Sequence, residues 1–318
     1  MVSSKVDPRP GIDYPGTWDE LLAWFPNEAA SIDYLEGLRW PERFVCPACE
    51  GEDAWRIAGP RWMCTACGRK TSVTAGTIFD KTRTPLRTWF AAVWYVTNQK
   101  HGVSALGLKR VLGLGSYQTA WAMLHKLRRA MVRPGRDRLA GDVEADESYV
   151  GGAEPGVRGR ETHKKAIVAI AVEVPGEREI GRVRMARIPN VSAASLTGFI
   201  RKAVEPGSVV LTDGWRGYGG LPKAGYVHKP TNIAASGDPA HVVMPAVHRV
   251  ASLLKRWLLG THQGAVHPEH LDYYLDEFTF RFNRRRSRRR GMLFYRLLEQ
   301  TVEVPPSPYR GMIGGRPF

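Results

Sequence analysis

Long apolar runs, abundant cysteine and an excess of acidic residues are all missing from this sequence. No segment approaches the roughly 18 consecutive apolar residues that a membrane-spanning helix requires. The first residues, 1–16, also lack the apolar core of a signal peptide. We therefore expect a cytoplasmic protein with no membrane partner. Only four cysteines occur in 318 residues, and in a reducing compartment they favour a metal site over disulfides.

The charge is strongly biased toward one sign. Lys and Arg number 46 against 31 Asp and Glu, which gives a formal net charge of +15. Such a surface attracts polyanions because each bound phosphate releases condensed counterions. Nucleic acid is therefore the first partner to consider, although ribosomal and membrane-surface proteins share this bias. A hydrophobic content of 43% is that of a folded chain, and the length allows two or three domains.

The four cysteines form two knuckles of equal spacing. Cys46 and Cys49 are separated by two residues, fourteen residues follow, and Cys64 and Cys67 repeat the pattern. Two CxxC pairs of this kind can present four thiolates to a tetrahedral Zn2+ ion, whereas a redox pair is the alternative. Four thiolates leave no position for water, so we predict a structural zinc site that helps to fold its module.

Composition and periodicity divide the chain into six segments. We predict a disordered arm (1–16), N-terminal helices (17–40), a zinc ribbon (41–80), a helix-turn-helix-like helical domain (81–135), an α/β domain (140–300) and a tail (301–318). Thr17 with Glu20 is typical of a capping box, and it predicts where the first helix begins.

Three helices are predicted within the fourth segment, over 85–98, 104–112 and 116–131, with glycine breaks between them. This outline is typical of a helix-turn-helix, whose last helix reads DNA. The candidate DNA contacts on that helix are Lys126, Arg128 and Arg129. An ordinary amphipathic helix with a solvated basic face is the alternative.

From residue 143 onward the pattern is that of an α/β domain. Strands are expected at VEADESYVGG, KAIVAIAVEV, GRVRMARI and SVVLTDG, with a helix over 193–204 before the last strand. Helical segments return from residue 244. They lead to seven arginines within 281–290, among which Arg281, Arg284, Arg285 and Arg286 are candidate phosphate contacts. A solvated charged segment is the alternative for this cluster.

Two aspartates stand out on the predicted strands. Asp146 lies in an extended stretch, and Asp213 follows the apolar run VVLT. Carboxylates on adjacent strands suit a pair of Mg2+ ions about 4 Å apart, but Asp before Gly is also a common turn residue. Further on, His248 and Lys255 are seven residues apart and share one face of a predicted helix. They could serve a metal and a phosphate, or only form a solvated face.

Taken in order, these segments resemble a known family. RWPERFVCPACEG, WMCTACGRKTSVTAGTIFDKTRTPL, ADESYVGG, TDGWRGY and the block from HRVASLLKRW to FRFNRR are similar to zinc-ribbon insertion-sequence transposases of the fifteen-ninety-five (ISXO-type) family. The resemblance covers roughly residues 17–300. It implies an RNase-H-like catalytic domain of the DDE type over 140–300, in which Asp146 and Asp213 are the two catalytic aspartates.

The resemblance also implies where the third metal ligand lies. Most transposases of this type carry Glu there, whereas this chain has no acidic residue between Asp238 and Glu269 and has His248 at the expected place. We therefore predict His248 as the third ligand of Mg2+ or Mn2+ and Lys255 as the accompanying basic residue. Glu277 is the fallback acid.

The expected activity is metal-dependent cleavage of DNA at terminal inverted repeats, followed by strand transfer to a target. Its partners would be the element ends, the target DNA and a second copy of the chain, as a homodimer or higher oligomer on DNA. Two other interpretations stay open: a zinc-ribbon DNA-binding regulator or domesticated transposase that no longer cuts, and a structure-specific nuclease on the same fold.

Overall fold

The computed structural model describes residues 7–133, 135–152, 165–176, 179–231, 237, 239–264 and 266–314. In chain order its main elements are α1 (Trp18–Trp24), α2 (Glu28–Arg39), β1 (Ala54–Ile57), β2 (Arg61–Cys64), β3 (Lys70–Ser72), α3 (Leu86–Asn98), α4 (Ala105–Leu112), α5 (Tyr117–Ala130), β4 (Asp142–Val150), β5 (Ala166–Glu173), β6 (Val183–Ile188), α6 (Ala193–Ala203), β7 (Val209–Thr212), β8 (Val227–Pro230), α7 (Ala240–Val243), α8 (Pro245–His262), α9 (Leu271–Asn283), α10 (Arg290–Glu303) and α11 (Tyr309–Ile313).

The chain forms two compact units. The first comprises Met1–Pro134 and Ser287–Met312, and the second comprises Gly135–Arg286 and Ile313–Phe318. Within the described ranges, no helix is long and apolar enough to cross a membrane.

Helices of the first unit begin where hydroxyl and amide side chains can satisfy their free backbone N–H groups. Thr17 accepts from the N–H of Glu20 at 3.2 Å, and Asn27 caps α2 in the same way. Ser104 and Ser116 cap α4 and α5. The three predicted helices of the 81–135 segment are therefore present as α3, α4 and α5.

The last long helix, α10, belongs to the first unit, where it packs against α2, α3 and α5. Phe294 on α10 lies in an aromatic cluster with Phe25, Phe90 and Trp94. The sequence assigned this stretch to the segment ending at residue 300. Its apolar face instead packs on aromatic residues of α3 and on Phe25 at the end of α1, a pairing that periodicity within α10 does not specify.

The chain just before α1 also packs on α10. Tyr14 is wholly buried, with its ring 5.8 Å from that of Tyr295. Gly291 lies so close to Pro15 that a Cβ would overlap the Pro15 carbonyl. The residues of the predicted arm that the structure describes, 7–16, thus include a packed segment.

The second unit is built on a five-stranded mixed sheet of order β6-β5-β4-β7-β8. β4, β5 and β6 are antiparallel neighbours, whereas β7 and β8 run parallel to β4. α6 covers one face, and α8 and α9 cover the other. The predicted mixed α/β architecture is confirmed, with the first and fourth strands of the domain adjacent at its centre; β8 was not predicted.

Candidate metal centres

The first unit holds a four-cysteine site at the end of the β1–β2–β3 sheet. The Sγ atoms of Cys46 and Cys67 are 3.6 Å apart, as are those of Cys49 and Cys64. All four lie within 4.8 Å of one another. Tetrahedral Zn2+ with bonds of about 2.3 Å requires sulfur atoms about 3.8 Å apart. The four thiolates therefore fit a structural Zn2+ ion as they stand.

Both knuckles turn back on themselves with the same backbone hydrogen bond. The N–H of Glu50 donates to Cys46 O at 3.0 Å, and the N–H of Gly68 donates to Cys64 O at 2.9 Å. Each donor has a positive φ, +60° at Glu50 and +70° at Gly68. Glycine adopts this conformation readily, whereas the strained Glu50 was missed because glutamate is not a residue that signals it.

The second unit brings Asp146 and Asp213 toward one another at the centre of its sheet. β4 and β7 are parallel, with Glu144 paired to Leu211. Two residues further along, the same register places Asp146 beside Asp213 and on the same face, because side chains alternate along a strand. Asp213 directly follows the last residue of β7, and its Oδ1 accepts from the N–H of Trp215 at 2.9 Å.

His248 on α8 faces the same place. Its Nδ1 lies 3.9 Å from Asp146 Oδ2, and both side chains are partly exposed. This distance is too long for a hydrogen bond, but two ligands of one ion at 2.0–2.2 Å lie about 3–4 Å apart. Asp146, His248 and Lys255 line a common cleft of about 370 Å³. The donors thus fit a divalent cation that retains open coordination positions.

The convergence is looser than in the cysteine site. Among the described residues, the four cysteines are the only group of three or more His, Cys, Asp and Glu side chains whose ligand atoms all lie within 4.8 Å. The structure brings Asp146 and His248 together, and it does not bring Asp213 within that spacing of both.

A buried carboxylate on β4 attaches α8 to the sheet. Glu144 Oε2 accepts from the N–H of Val247 at 2.8 Å, and the N–H of Ala246 also bonds this carboxylate. Burial raises the pKa of Glu144, whereas the two amides lower it. Met244, at the N-cap of α8, provides no side-chain cap. Glu144, which lies on the same strand as Asp146, therefore caps the N-terminus of α8.

A second buried pair lies on the opposite face of β4. Tyr218 Oη donates to Glu147 Oε2 at 3.2 Å, and both residues are buried. Burial raises the pKa of Tyr218 further above its ordinary value than any other influence, and the charges of Glu147, Asp146 and Asp213 add to this effect. Sequence reasoning assigned neither residue a role, although DES and TDGWRGY contain them.

Glu277 lies elsewhere in this unit. It is fully buried on α9 and forms an ion pair with Arg281 at 2.8 Å. It does not line the cleft of Asp146 and His248. Glu277 holds Arg281 in place, and the roles of this pair as fallback metal ligand and phosphate contact stay predictions.

The remaining predicted DNA contacts differ in exposure. Arg128 is only 2% exposed, so its guanidinium is not available to a phosphate, while Lys126 and Arg129 on the same helix are partly exposed. Arg284 and Arg285 stack on Phe280 and Phe282, each at 4.1 Å. Arg286 is exposed.

A four-thiolate ribbon and a mixed five-stranded sheet covered by helices on both faces define a zinc-ribbon protein with a second, α/β domain. Comparison with known proteins agrees with this class. Residues 138–283 match the ISXO2-like transposase domain, and residues 26–70 match a transposase zinc-ribbon domain.

Two relatives extend the comparison. A protein in transposable element ISH50 of Halobacterium salinarum is 28% identical over 282 residues, which cover 81% of this chain and 91% of that protein. A transposase-like protein of Haemophilus influenzae is 31% identical over 96 residues, 30% of this chain and 76% of its own. The chain belongs to the ISXO2-like transposase family, and it carries that family's zinc ribbon.

Proposed function

We propose that this transposase binds the terminal inverted repeats of its element and catalyses metal-dependent DNA cleavage and strand transfer at Asp146, Asp213 and His248. The observation that carries the proposal is the approach of His248 Nδ1 to within 3.9 Å of Asp146 Oδ2 in an open cleft. A protein that only binds DNA has no need for this convergence. The carboxylates and the imidazole would hold Mg2+ or Mn2+, which supplies charge stabilisation at the scissile phosphate.

Each residue of the proposed active site has a distinct task in this reaction. Asp146 presents its carboxylate from β4, and Asp213 presents its carboxylate from the residue that directly follows β7, where the Trp215 N–H holds it. Lys255 lies two helical turns beyond His248 and lines the same cleft. Its ammonium group would bind a non-bridging oxygen of the phosphodiester and orient it.

The covalent change is an in-line displacement at phosphorus. The oxygen of water, or of a 3'-hydroxyl in strand transfer, forms a new bond to phosphorus as the opposite P–O bond breaks. The nucleophile loses its proton to solvent, and the leaving oxygen is released as a hydroxyl. No covalent bond to the protein is needed.

DNA recognition would come from the basic helical surface of the first unit, where Lys126 and Arg129 are accessible. In the second unit, Arg284, Arg285 and Arg286 would contact phosphates without reading bases. Arg284 and Arg285 already stack on rings of α9, so little side-chain freedom is lost on binding. Joining two element ends would require two copies of the chain, which we propose assemble on DNA.

The decisive experiment is an in vitro cleavage and strand-transfer assay on the flanking repeats, with Asp146→Asn and Asp213→Asn variants. Each should lose roughly 1,000-fold in rate, since several kcal/mol of charge stabilisation depend on these ligands. Affinity for the repeats should persist in both variants. Arg201→Ala, an exposed change outside the cleft, serves as the matched control.

Variants that cleave and join as fast as the parent would overturn the assignment. Parent protein that cleaves without joining would instead favour a structure-specific nuclease. Parent protein that binds the repeats but neither cuts nor joins them would favour a regulator.

A further inference from the structure

A second cleft in the transposase domain lies on the α6 face of the sheet, whereas the candidate metal cleft lies on the α8 face. It has a volume of about 470 Å³ and runs between β6 and α6. Three basic side chains line it, Arg136, Arg184 and Lys202, whereas Arg187 at its edge is paired with Asp272 on α9. Among the described residues, no acidic side chain contributes to its lining. The proposed reaction uses none of these residues.

Arg184 is the most unusual of the three because it is 7% exposed. Among the described residues, its guanidinium donates to the backbone carbonyls of Val183 and Asp137 rather than to a carboxylate. Burial lowers the pKa of Arg184 to about 10, and repulsion from Arg136 and Arg182 contributes, while the charges of Glu173 and Asp137 act in the opposite direction. A buried cation next to other cations is costly unless an anion joins them.

The other wall of the cleft is formed by α6 and includes a glycine that leaves space in the cleft. Gly198 lines it from within α6, where glycine is a poor helix former. A Cβ at this position would meet nothing within 4 Å, so internal packing does not require the glycine. Phe199 and Ala203 add apolar surface to the same cleft. Basic side chains next to this apolar surface match the alternation of phosphate and deoxyribose in a DNA strand.

We propose that this α6 cleft, defined by Arg136, Arg184, Lys202 and Gly198, binds the sugar–phosphate backbone of DNA at a site separate from the proposed metal cleft. This proposal rests on the DNA binding that the proposed function requires. The cleft contacts phosphates and sugars only, so it serves any sequence. This property suits target DNA or the flank of an element end.

The test is the salt dependence of DNA binding by the full chain, measured by fluorescence anisotropy with a duplex of arbitrary sequence. Asp146→Asn protein is used throughout, so that no strand is cut and the result is independent of catalysis. Each lost phosphate contact lowers the slope of log K against log salt by about 0.9. Arg136→Ala with Lys202→Ala should therefore lower it by about 2. Arg201→Ala, a neighbour on α6 that does not line the cleft, should lower it much less.

A second variant tests the cleft without changing charge. Gly198→Leu should leave the fold intact, since leucine favours a helix and its Cβ has space. Its side chain should fill the cleft and weaken duplex binding at least threefold. Slopes and affinities equal to those of Arg201→Ala would overturn the proposal. Loss of inorganic phosphate binding in the variants with unchanged duplex binding would also overturn it, in favour of a small-anion site.

Discussion

The four-cysteine site and the proposed metal site at Asp146 and His248 are organised in opposite ways. The four sulfur atoms lie within 4.8 Å of one another and leave no room for another ligand. Asp146 and His248 are 3.9 Å apart and face a cleft of about 370 Å³. A saturated site stabilises a fold, whereas an open site can take a substrate.

The elements that hold the two sites differ as well. The cysteines lie on short turns and on β2, in a module with few buried apolar residues: Phe44 packs with Trp40 and Trp62 near the sulfur atoms. Asp146 lies on the central strand β4 and Asp213 directly follows β7, in a sheet with an apolar core on each face. The ribbon therefore depends on its metal for folding, while the sheet positions its ligands without one.

Zinc removal gives the sharpest contrast between the two sites and the largest expected effect. Structural Zn2+ contributes on the order of 10–16 kcal/mol to folding of such modules. A strong chelator should therefore unfold the ribbon, and fluorescence of Trp40 and Trp62 would report it. Near-complete zinc loss with unchanged fluorescence would contradict the structural role. Withdrawal of Mg2+ should change neither the spectra nor the melting of the second unit.

Replacement of His248 tests whether the open site is a metal site at all. His248→Ala should reduce strand cleavage by at least about 100-fold, because losing even an outer partner of a metal ligand costs 10–100-fold. His248→Glu should retain much of the activity, since a carboxylate can take the same position. Titration of Mg2+ and Mn2+ against the cleavage rate would measure the change. Equal loss in both variants, with both folded, would argue for a role other than ligation.

The sequence predicted helices and strands better than it predicted which of them pack together. Hydrophobic periodicity and capping residues predicted the bounds of α3, α4, α5 and α6 closely, because both signals are local in the sequence. The pairing of α10 with the N-terminal helices, and the burial of Arg128, depend on contacts far along the chain. Cysteine spacing was sufficient for the zinc site because each knuckle is a local turn.

The carboxylate site required more than local signals. Asp146 and Asp213 were found as strand-borne acids, but their adjacency depends on the β4–β7 register. Glu144 and Tyr218 were missed, since the first bonds a helix 103 residues away and the second bonds Glu147, 71 residues away. Single-sequence patterns do not carry pairings of that separation.

Glu144 tests how the open site is kept in shape. Glu144→Ala removes the acceptor for two amides at the start of α8, which should cost about 1–3 kcal/mol of stability. Misplacement of His248 should also lower cleavage below the parent rate under conditions where both proteins are fully folded. Glu144→Gln keeps an acceptor oxygen and should restore most of the rate. Glu205→Ala, about half exposed, is the matched control. Full activity in Glu144→Ala would show that α8 is held by its apolar face alone.

The smallest expected effect concerns the two knuckles of the closed site. Glu50 and Gly68 occupy equivalent positions with φ of +60° and +70°, and this conformation costs a residue other than glycine about 1–2 kcal/mol. Glu50→Gly should relieve that cost, partly offset by the entropy of glycine in the unfolded chain, for a net gain of up to about 1 kcal/mol. Gly68→Ala should lose a similar amount. Zinc affinity by chelator competition and the denaturation midpoint of the ribbon would measure both. Destabilisation by Glu50→Gly would mean that the Glu50 side chain stabilises its knuckle more than its backbone strains it.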